Sequence, residues 1–476
     1  MIIDILSILF FVIVFGIFMV VPRKLRRVVL LVSSCIYIGL VDLRALAVLL
    51  ITTFITYIAG IAMEAAGGRS AKAGKLIYVI SIGVLVLVLV AFKYAAVAGD
   101  YGIIDSGIAS DLAIPVGFSF YVLGAIAYLS GINRGERKAQ RSMVKYFLYM
   151  SWFPKFVSGP IEDENRMDNE FEHATAFRLS ADTVKIAALR MAYGMFLKLV
   201  VADRLGIYVD DLYSNMNDYG SIALFVGTIF YSAQIYCDFA GYTYFARGVS
   251  RLFGIELSEN FVTPYFACNI SEFWSRWHMT LSTWLKNNIY IPLGGNRKGE
   301  VRKAVNLMIV FIVSGFWHGA TASFLIWGAL HGLYSILNGI FKRHNVRFMT
   351  EGTSGRIINF LAVTWAWIFF RASSAAEAFG YIKAMFTNGI RLWYLGTHFR
   401  ESWRQFIDPA VTILLLILVL VIDIVSYKKK KDITEIISEK GTAASLTFIY
   451  MAIILTVIFG IYGASIFAKT YIYMQF

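Results

Sequence analysis

The sequence predicts an all-α, polytopic membrane protein, and three observations carry that expectation. Hydrophobic residues make up 58% of the 476-residue chain and charged residues only 16%, against roughly 45–50% and about 25% in soluble domains. The apolar residues run continuously instead of alternating, which argues against a membrane β-barrel. The 38 Phe, 27 Tyr and 10 Trp exclude a disordered chain. So few charges cannot cover a soluble fold of this length, which excludes a soluble enzyme.

Windows free of Asp, Glu, Lys and Arg mark the crossings, each needing about 20 residues. Ile5–Val21, Ala45–Met63, Leu76–Phe92 and Tyr219–Cys237 fit one helix each, and Val28–Val41 is a shorter one. Ile5–Val21 resembles a signal peptide, but no small-residue cleavage site follows, so a retained helix is expected. Ile186–Ala202 is a weaker span, interrupted by Arg190 and Lys198. Ala304–Phe341 is too long for one crossing and predicts a helical hairpin broken near Trp317–Thr321. Ile357–Phe370, Pro409–Ile422 and Gly441–Ala468 complete the set.

Five of the seven prolines (Pro115, Pro154, Pro160, Pro264 and Pro292) fall in the middle of the chain. Proline removes a backbone donor and breaks helices. In a bilayer such breaks survive only where protein or a water-filled cavity satisfies the freed groups. Ile114–Phe118 and Trp152–Phe156 therefore read as re-entrant or broken helices.

The excess of 44 Lys and Arg over 31 Asp and Glu gives a net charge of +13. The basic residues cluster between apolar runs, at Arg23–Arg27, Arg69–Lys75, Arg134–Arg141, Arg297–Lys303, Lys342–Arg347 and Lys428–Lys431. That pattern reads as membrane orientation, not as affinity for nucleic acid. It places these loops in the cytoplasm and both ends of the chain, including Tyr471–Phe476, on the extracytoplasmic side. Cys35, Cys237 and Cys268 are too far apart for a disulfide framework or a metal set.

Ionisable groups at membrane depth are costly and are functional candidates by default. His173, His344 and His398 lie in polar segments, whereas His278, His318 and His331 lie in apolar ones. His318 follows Ala304 by a rise of about 21 Å at 1.5 Å per residue, and Gly315 and Gly319 beside it permit close backbone approach. His331 reads as a packing residue. Trp274, Trp277, Leu281 and Trp284 recur at helical spacing and predict one face of an interfacial helix bearing an aromatic belt. Arg276 and His278 on the same stretch are less easily explained by packing. Asp238 ends an apolar run and reads as a buried, paired carboxylate or, more plainly, as a hydrogen-bond acceptor at a helix break. No Walker motif, G-x-G-x-x-G or CxxC pair occurs.

At Phe273–Gly299 (FWSRWHMTLSTWLKNNIYIPLGGNRKG) and Ser314–Ala320 (SGFWHGA) the sequence resembles the membrane-bound O-acyltransferase family, and within it the branch acting in alginate O-acetylation. IPVGFSFY at Ile114–Tyr121, VSGPI at Val157–Ile161, CDFAGY at Cys237–Tyr242 and FFRA at Phe369–Ala372 extend the likeness over most of residues 110–375. The resemblance implies a ring of about 11–12 transmembrane helices, with re-entrant helices, around a thin centre. It implies three regions: N-terminal helices at 1–110, a catalytic core at 111–375, and C-terminal helices with an extracytoplasmic tail at 376–476. It makes His318 the catalytic histidine, with His278 as its partner and Trp317, Arg276 and Asp238 as supporting residues. Tyr471–Phe476 resembles an F-x-Y-x-x-F tail, which makes Tyr473 a candidate acyl acceptor, against the plainer reading of an interfacial anchor.

The implied activity is transfer of an acyl group, acetyl foremost, from acetyl-CoA or another cytoplasmic thioester. The acceptor is an extracellular or cell-wall polysaccharide. The basic surface at Arg297–Lys303 would attract the donor's phosphates. Expected partners are the bilayer, a separate extracytoplasmic SGNH-type acetyltransferase and the polysaccharide; no bound cofactor or metal is needed. The alternatives are D-alanyl transfer to teichoic acid from an acyl carrier protein, and a non-catalytic acyl or lipid transporter.

Overall fold

The computed structural model describes residues 5–100, 102–390 and 404–461. Among them regular structure is helical, and the one departure is an isolated antiparallel bridge between Phe261 and Trp277. Six described helices are long and apolar enough to cross a membrane: Leu43–Gly67, Ala71–Gly99, Ser221–Leu252, Ala322–Arg343, Pro409–Lys429 and Thr442–Phe459. The protein is therefore a multi-pass helical membrane protein. Of the 18-residue apolar window in Ser221–Leu252, 61% of the residues are buried inside the protein, and of that in Ala71–Gly99 only 6%. The first is a core helix, while the second is peripheral, packed on one side against Leu43–Gly67 and Phe118–Asn133.

The chain forms two compact units. The first holds residues up to Met191 together with Ala246–Ser258. Its core is aromatic: Phe153 stacks on Phe11 at 5.3 Å and meets Phe253 edge-on at 6.1 Å, while Trp152 donates its indole N–H to Ser250 Oγ at 3.1 Å. Both expected proline breaks are present. Pro115 precedes the helix Phe118–Asn133, entered through a left-handed Gly117 (φ 76°) where a Cβ would strike Phe156. Pro154 opens the four-residue helix Phe153–Phe156. The carboxylate of Glu256 gathers three guanidiniums, from Arg190 at 2.7 Å, Arg251 at 2.7 Å and Arg247 at 3.4 Å.

The second unit holds Ala192–Phe245 and the chain from Glu259 onward. The weak span is a helix, Ala181–Met195, that continues as the π-helical stretch Phe196–Ala202 and then as Asp203–Ser214. Gly194 and Gly241 let this segment approach Ser221–Leu252 closely: a Cβ on Gly194 would sit 2.6 Å from Gly241 O, and one on Gly241 2.9 Å from Gly194 O. That approach brings the ammonium of Lys198 onto the carboxylate of Asp238. Asp203 shares the ammonium at 2.8 Å.

The expected helix break at Asp238 does not occur. Ser221–Leu252 runs through it without interruption, because Lys198 compensates the charge. The apolar window stops at Cys237, but the helix does not.

The tryptophan stripe is also corrected. Ile270–Trp274 and Met279–Leu285 are separate short helices, so the four positions do not share one helix face. Val262 N–H donates to Arg276 O at 3.0 Å, drawing the intervening strand-like segment out of helical geometry. Trp277 is 1% exposed. It packs on Phe273, Phe261 and Trp367 as a core residue instead of joining an aromatic belt.

The hairpin forms as expected, from Gly299–His318 and Ala322–Arg343 joined by Gly319–Thr321. Its first helix begins five residues before the apolar window and ends at His318, where Gly319 turns extended.

Candidate active site

The site residues that the structure describes all lie in the second unit. His318 is 2% exposed. A Cβ on Gly315 would collide with the carbonyl of Phe324, and one on Gly328 with that of Phe311, so only glycine permits the spacing of the two hairpin helices. The tight seam presses His318 among three rings: Trp317 at 4.7 Å, Trp327 at 5.1 Å and Phe370 at 5.1 Å between centroids. Ser314 lies one turn before His318 on the same helix and is 1% exposed. Its Oγ has no hydrogen-bond partner among the described residues. The i, i+4 relation of Ser314 to His318 is legible in the sequence, but an uncharged serine in an apolar run carries no mark of its own.

His278 is fully buried and stands edge-on to Phe239, with ring centroids 4.7 Å apart. Its backbone is left-handed (φ 42°, ψ 54°), a conformation uncommon outside glycine though less so for His. The bridge that breaks the helix fixes it. Met279 N–H donates to Asn260 O at 3.1 Å, and Thr280 donates its hydroxyl to Asn260 Oδ1 at 2.7 Å. Thr263, on the facing segment, is also left-handed (φ 42°). For a β-branched residue that is an outlier, and such strain concentrates at functional sites.

One aromatic cluster links the two histidines. Phe239 meets Phe261 at 5.0 Å, Phe261 meets Trp277 at 5.1 Å, Trp277 meets Trp367 at 5.1 Å, and Trp367 stacks on Trp327 at 5.9 Å. His331 lies in the same cluster. It accepts a hydrogen bond at Nδ1 from the Trp274 indole at 3.3 Å and is caged by Trp327 and Phe311, as its packing reading requires.

Arg276 turns to other partners. It donates to Glu272 Oε1 at 2.7 Å and to Thr263 Oγ1 at 3.3 Å, and its guanidinium lies over the Tyr427 ring at 5.3 Å. Asp238 precedes Phe239 on the core helix, so its ion pair with Lys198 holds the wall on which His278 rests. Tyr473 lies outside the described residues. Among those described, no three His, Cys, Asp or Glu side chains are grouped to hold a metal.

Buried histidines on glycine-tightened helices, walled by tryptophans inside a membrane fold, suit proton transfer in a site that excludes water. Residues 43–375 match the profile of MBOAT, the membrane-bound O-acyltransferase family, and the chain belongs to this family. It is an enzyme, a membrane O-acyltransferase. This sets the transporter alternative aside.

Its relatives include the probable alginate O-acetylase AlgI of Pseudomonas putida, 31% identical over 396 residues, covering 80% of this chain and 79% of the relative. The peptidoglycan O-acetyltransferase of Helicobacter pylori is 32% identical over 327 residues, covering 63% of this chain and 62% of its own. The teichoic acid D-alanyltransferase of Bacillus subtilis is 26% identical over 243 residues, covering 49% and 61%.

Proposed function

We propose that the enzyme takes an acetyl group from a cytoplasmic thioester, acetyl-CoA foremost, and passes it across the membrane for O-acetylation of an extracellular or cell-wall polysaccharide. His318 is the general base. The observation that carries this reading is its position: a buried imidazole ends the first hairpin helix, held by a glycine seam and three rings.

An imidazole nitrogen accepts the proton of the attacking hydroxyl as oxygen bonds to the thioester carbon. The carbon–sulfur bond then breaks, and the thiolate takes up the proton. His278 steadies the thioester or the developing oxyanion, a role worth about 3 kcal/mol per donor. The acceptor hydroxyl is Tyr473 or belongs directly to the polysaccharide, with an SGNH-type transferase completing delivery in the first case.

The span of likeness supports acetyl over D-alanyl transfer: the alginate O-acetylase aligns over 80% of this chain and the D-alanyltransferase over 49%. The test is His318→Ala in purified protein supplied with labelled acetyl-CoA. Loss of transfer with an unchanged thermal midpoint supports the assignment, and retained transfer removes His318 from the mechanism. Intact mass measurement of the wild type and of Tyr473→Phe decides whether the tyrosine carries the acyl group.

A further inference from the structure

At the end of the hairpin opposite its turn, the two helices part to leave a groove of about 210 Å³. Its walls are apolar, formed by Val301, Ala304, Leu307, Ile336 and Ile340. Val301 and Ile340 are 80% and 41% exposed, so the groove opens onto the outer surface of the hairpin. Gly339 lines it without a side chain, and a Cβ there would meet nothing within 4 Å. A small side chain there would leave the groove open, whereas a long one would reach into it.

The rim is charged. Lys303 and Arg343 flank the groove and share a single carboxylate, Glu300. The two segments that converge here, 297–303 and 342–347, hold seven Lys and Arg residues against that one acid. One carboxylate cannot neutralise this cluster, and basic residues that flank apolar helices are the ones expected to meet lipid headgroups.

We propose that this groove binds one anionic phospholipid, with an acyl chain along the apolar wall and the phosphate between Lys303 and Arg343. A soluble phosphate would use the rim but has no need of the wall. A neutral lipid would use the wall but leave the cations unmatched. Basic pockets between membrane helices recognise anionic headgroups in this way. The assignment gives Lys303 to a lipid phosphate instead of the donor's, and it does not depend on which acyl group the enzyme transfers or on the role of His318.

Native mass spectrometry of the full-length protein, titrated with phosphatidylglycerol or phosphatidylcholine, tests it. One phosphatidylglycerol should be retained and phosphatidylcholine should not. The double variant Lys303→Gln, Arg343→Gln should weaken retention by about tenfold or more, and Gly339→Leu should weaken it by filling the groove. Glu300→Gln should strengthen it, and this opposite sign keeps the test informative should the double variant fold poorly. Equal retention of the two lipids, or unchanged retention in the double variant, overturns the proposal. Displacement by excess inorganic phosphate with no effect of Gly339→Leu also overturns it, in favour of a soluble anion site.

Discussion

His318 and Trp327 stand edge to face, their ring centroids 5.1 Å apart and their planes at 88°. The same indole meets His331 at 4.9 Å. One tryptophan therefore walls two histidines of opposite hairpin helices, and its position depends on the residue that follows it, Gly328.

Gly328→Ala should loosen that arrangement. A Cβ there would strike the Phe311 carbonyl and lie 3.5 Å from the Gly315 Cα, both backbone atoms that cannot swing away. Overpacking of this kind destabilises by about 1–3 kcal/mol. Thermal unfolding in detergent should show a lowered midpoint, and acyl transfer should fall further than stability does because His318 is displaced. Gly339→Ala, which meets open space, should leave both unchanged.

Lys198 should be less dispensable than Asp238. Removing one partner of a buried ion pair typically costs about 3–5 kcal/mol. Asp238→Asn leaves Lys198 with Asp203 at 2.8 Å, whereas Lys198→Met takes the ammonium from two carboxylates at once. Midpoints should therefore rank wild type, Asp238→Asn, Lys198→Met. Equal loss in the two variants would mean that Asp203 contributes nothing.

Acid should destabilise the first unit through Glu256. Burial opposes its ionisation, but the guanidiniums of Arg190, Arg247 and Arg251 outweigh burial and hold the carboxyl below its ordinary range. A group depressed on folding stabilises above its unfolded pKa of about 4.3. That contribution is lost as pH falls through the lower folded value. Midpoints measured from neutral pH downward should drop more steeply for the wild type than for Glu256→Gln, which starts lower.

Tyr427 should matter for its ring more than for its hydroxyl. Arg276 and Arg356 each lie over it at 5.3 Å, and Arg356 also donates to its hydroxyl at 3.0 Å. Each cation–π contact is worth about 0.5–2 kcal/mol. Tyr427→Phe should keep nearly full transfer. Tyr427→Leu should lower it, because Arg276 lies two residues from His278 on the bridged segment. Transfer assays normalised to folded protein separate the two outcomes.

What the sequence made legible was what lies close together along the chain. The hairpin and its turn followed from span length and glycine placement, and the candidacy of His318 from its depth and motif. Lys198 and Asp238 were both visible as awkward charges in apolar runs, but nothing in one sequence says that residues forty positions apart neutralise each other. Periodicity misled at Trp274–Trp284. The spacing is helical, yet backbone bonds from Asn260 and Val262 break the helix there. The left-handed turn at His278 was invisible for the same reason, since long-range pairing imposes it.

The three-residue connection of the hairpin bears on how the protein is made. Two of the three rings around His318, Trp317 and Trp327, lie within nine residues of it. Helices joined so closely, with a seam that fits only one register, meet as neighbours when they emerge in the membrane. The surroundings of the histidine are then largely in place before Phe370 is synthesised, and later helices dock onto a finished wedge. Lesions in the glycine seam should act early, as failures of biogenesis, whereas lesions in Phe370 should yield an assembled but impaired enzyme.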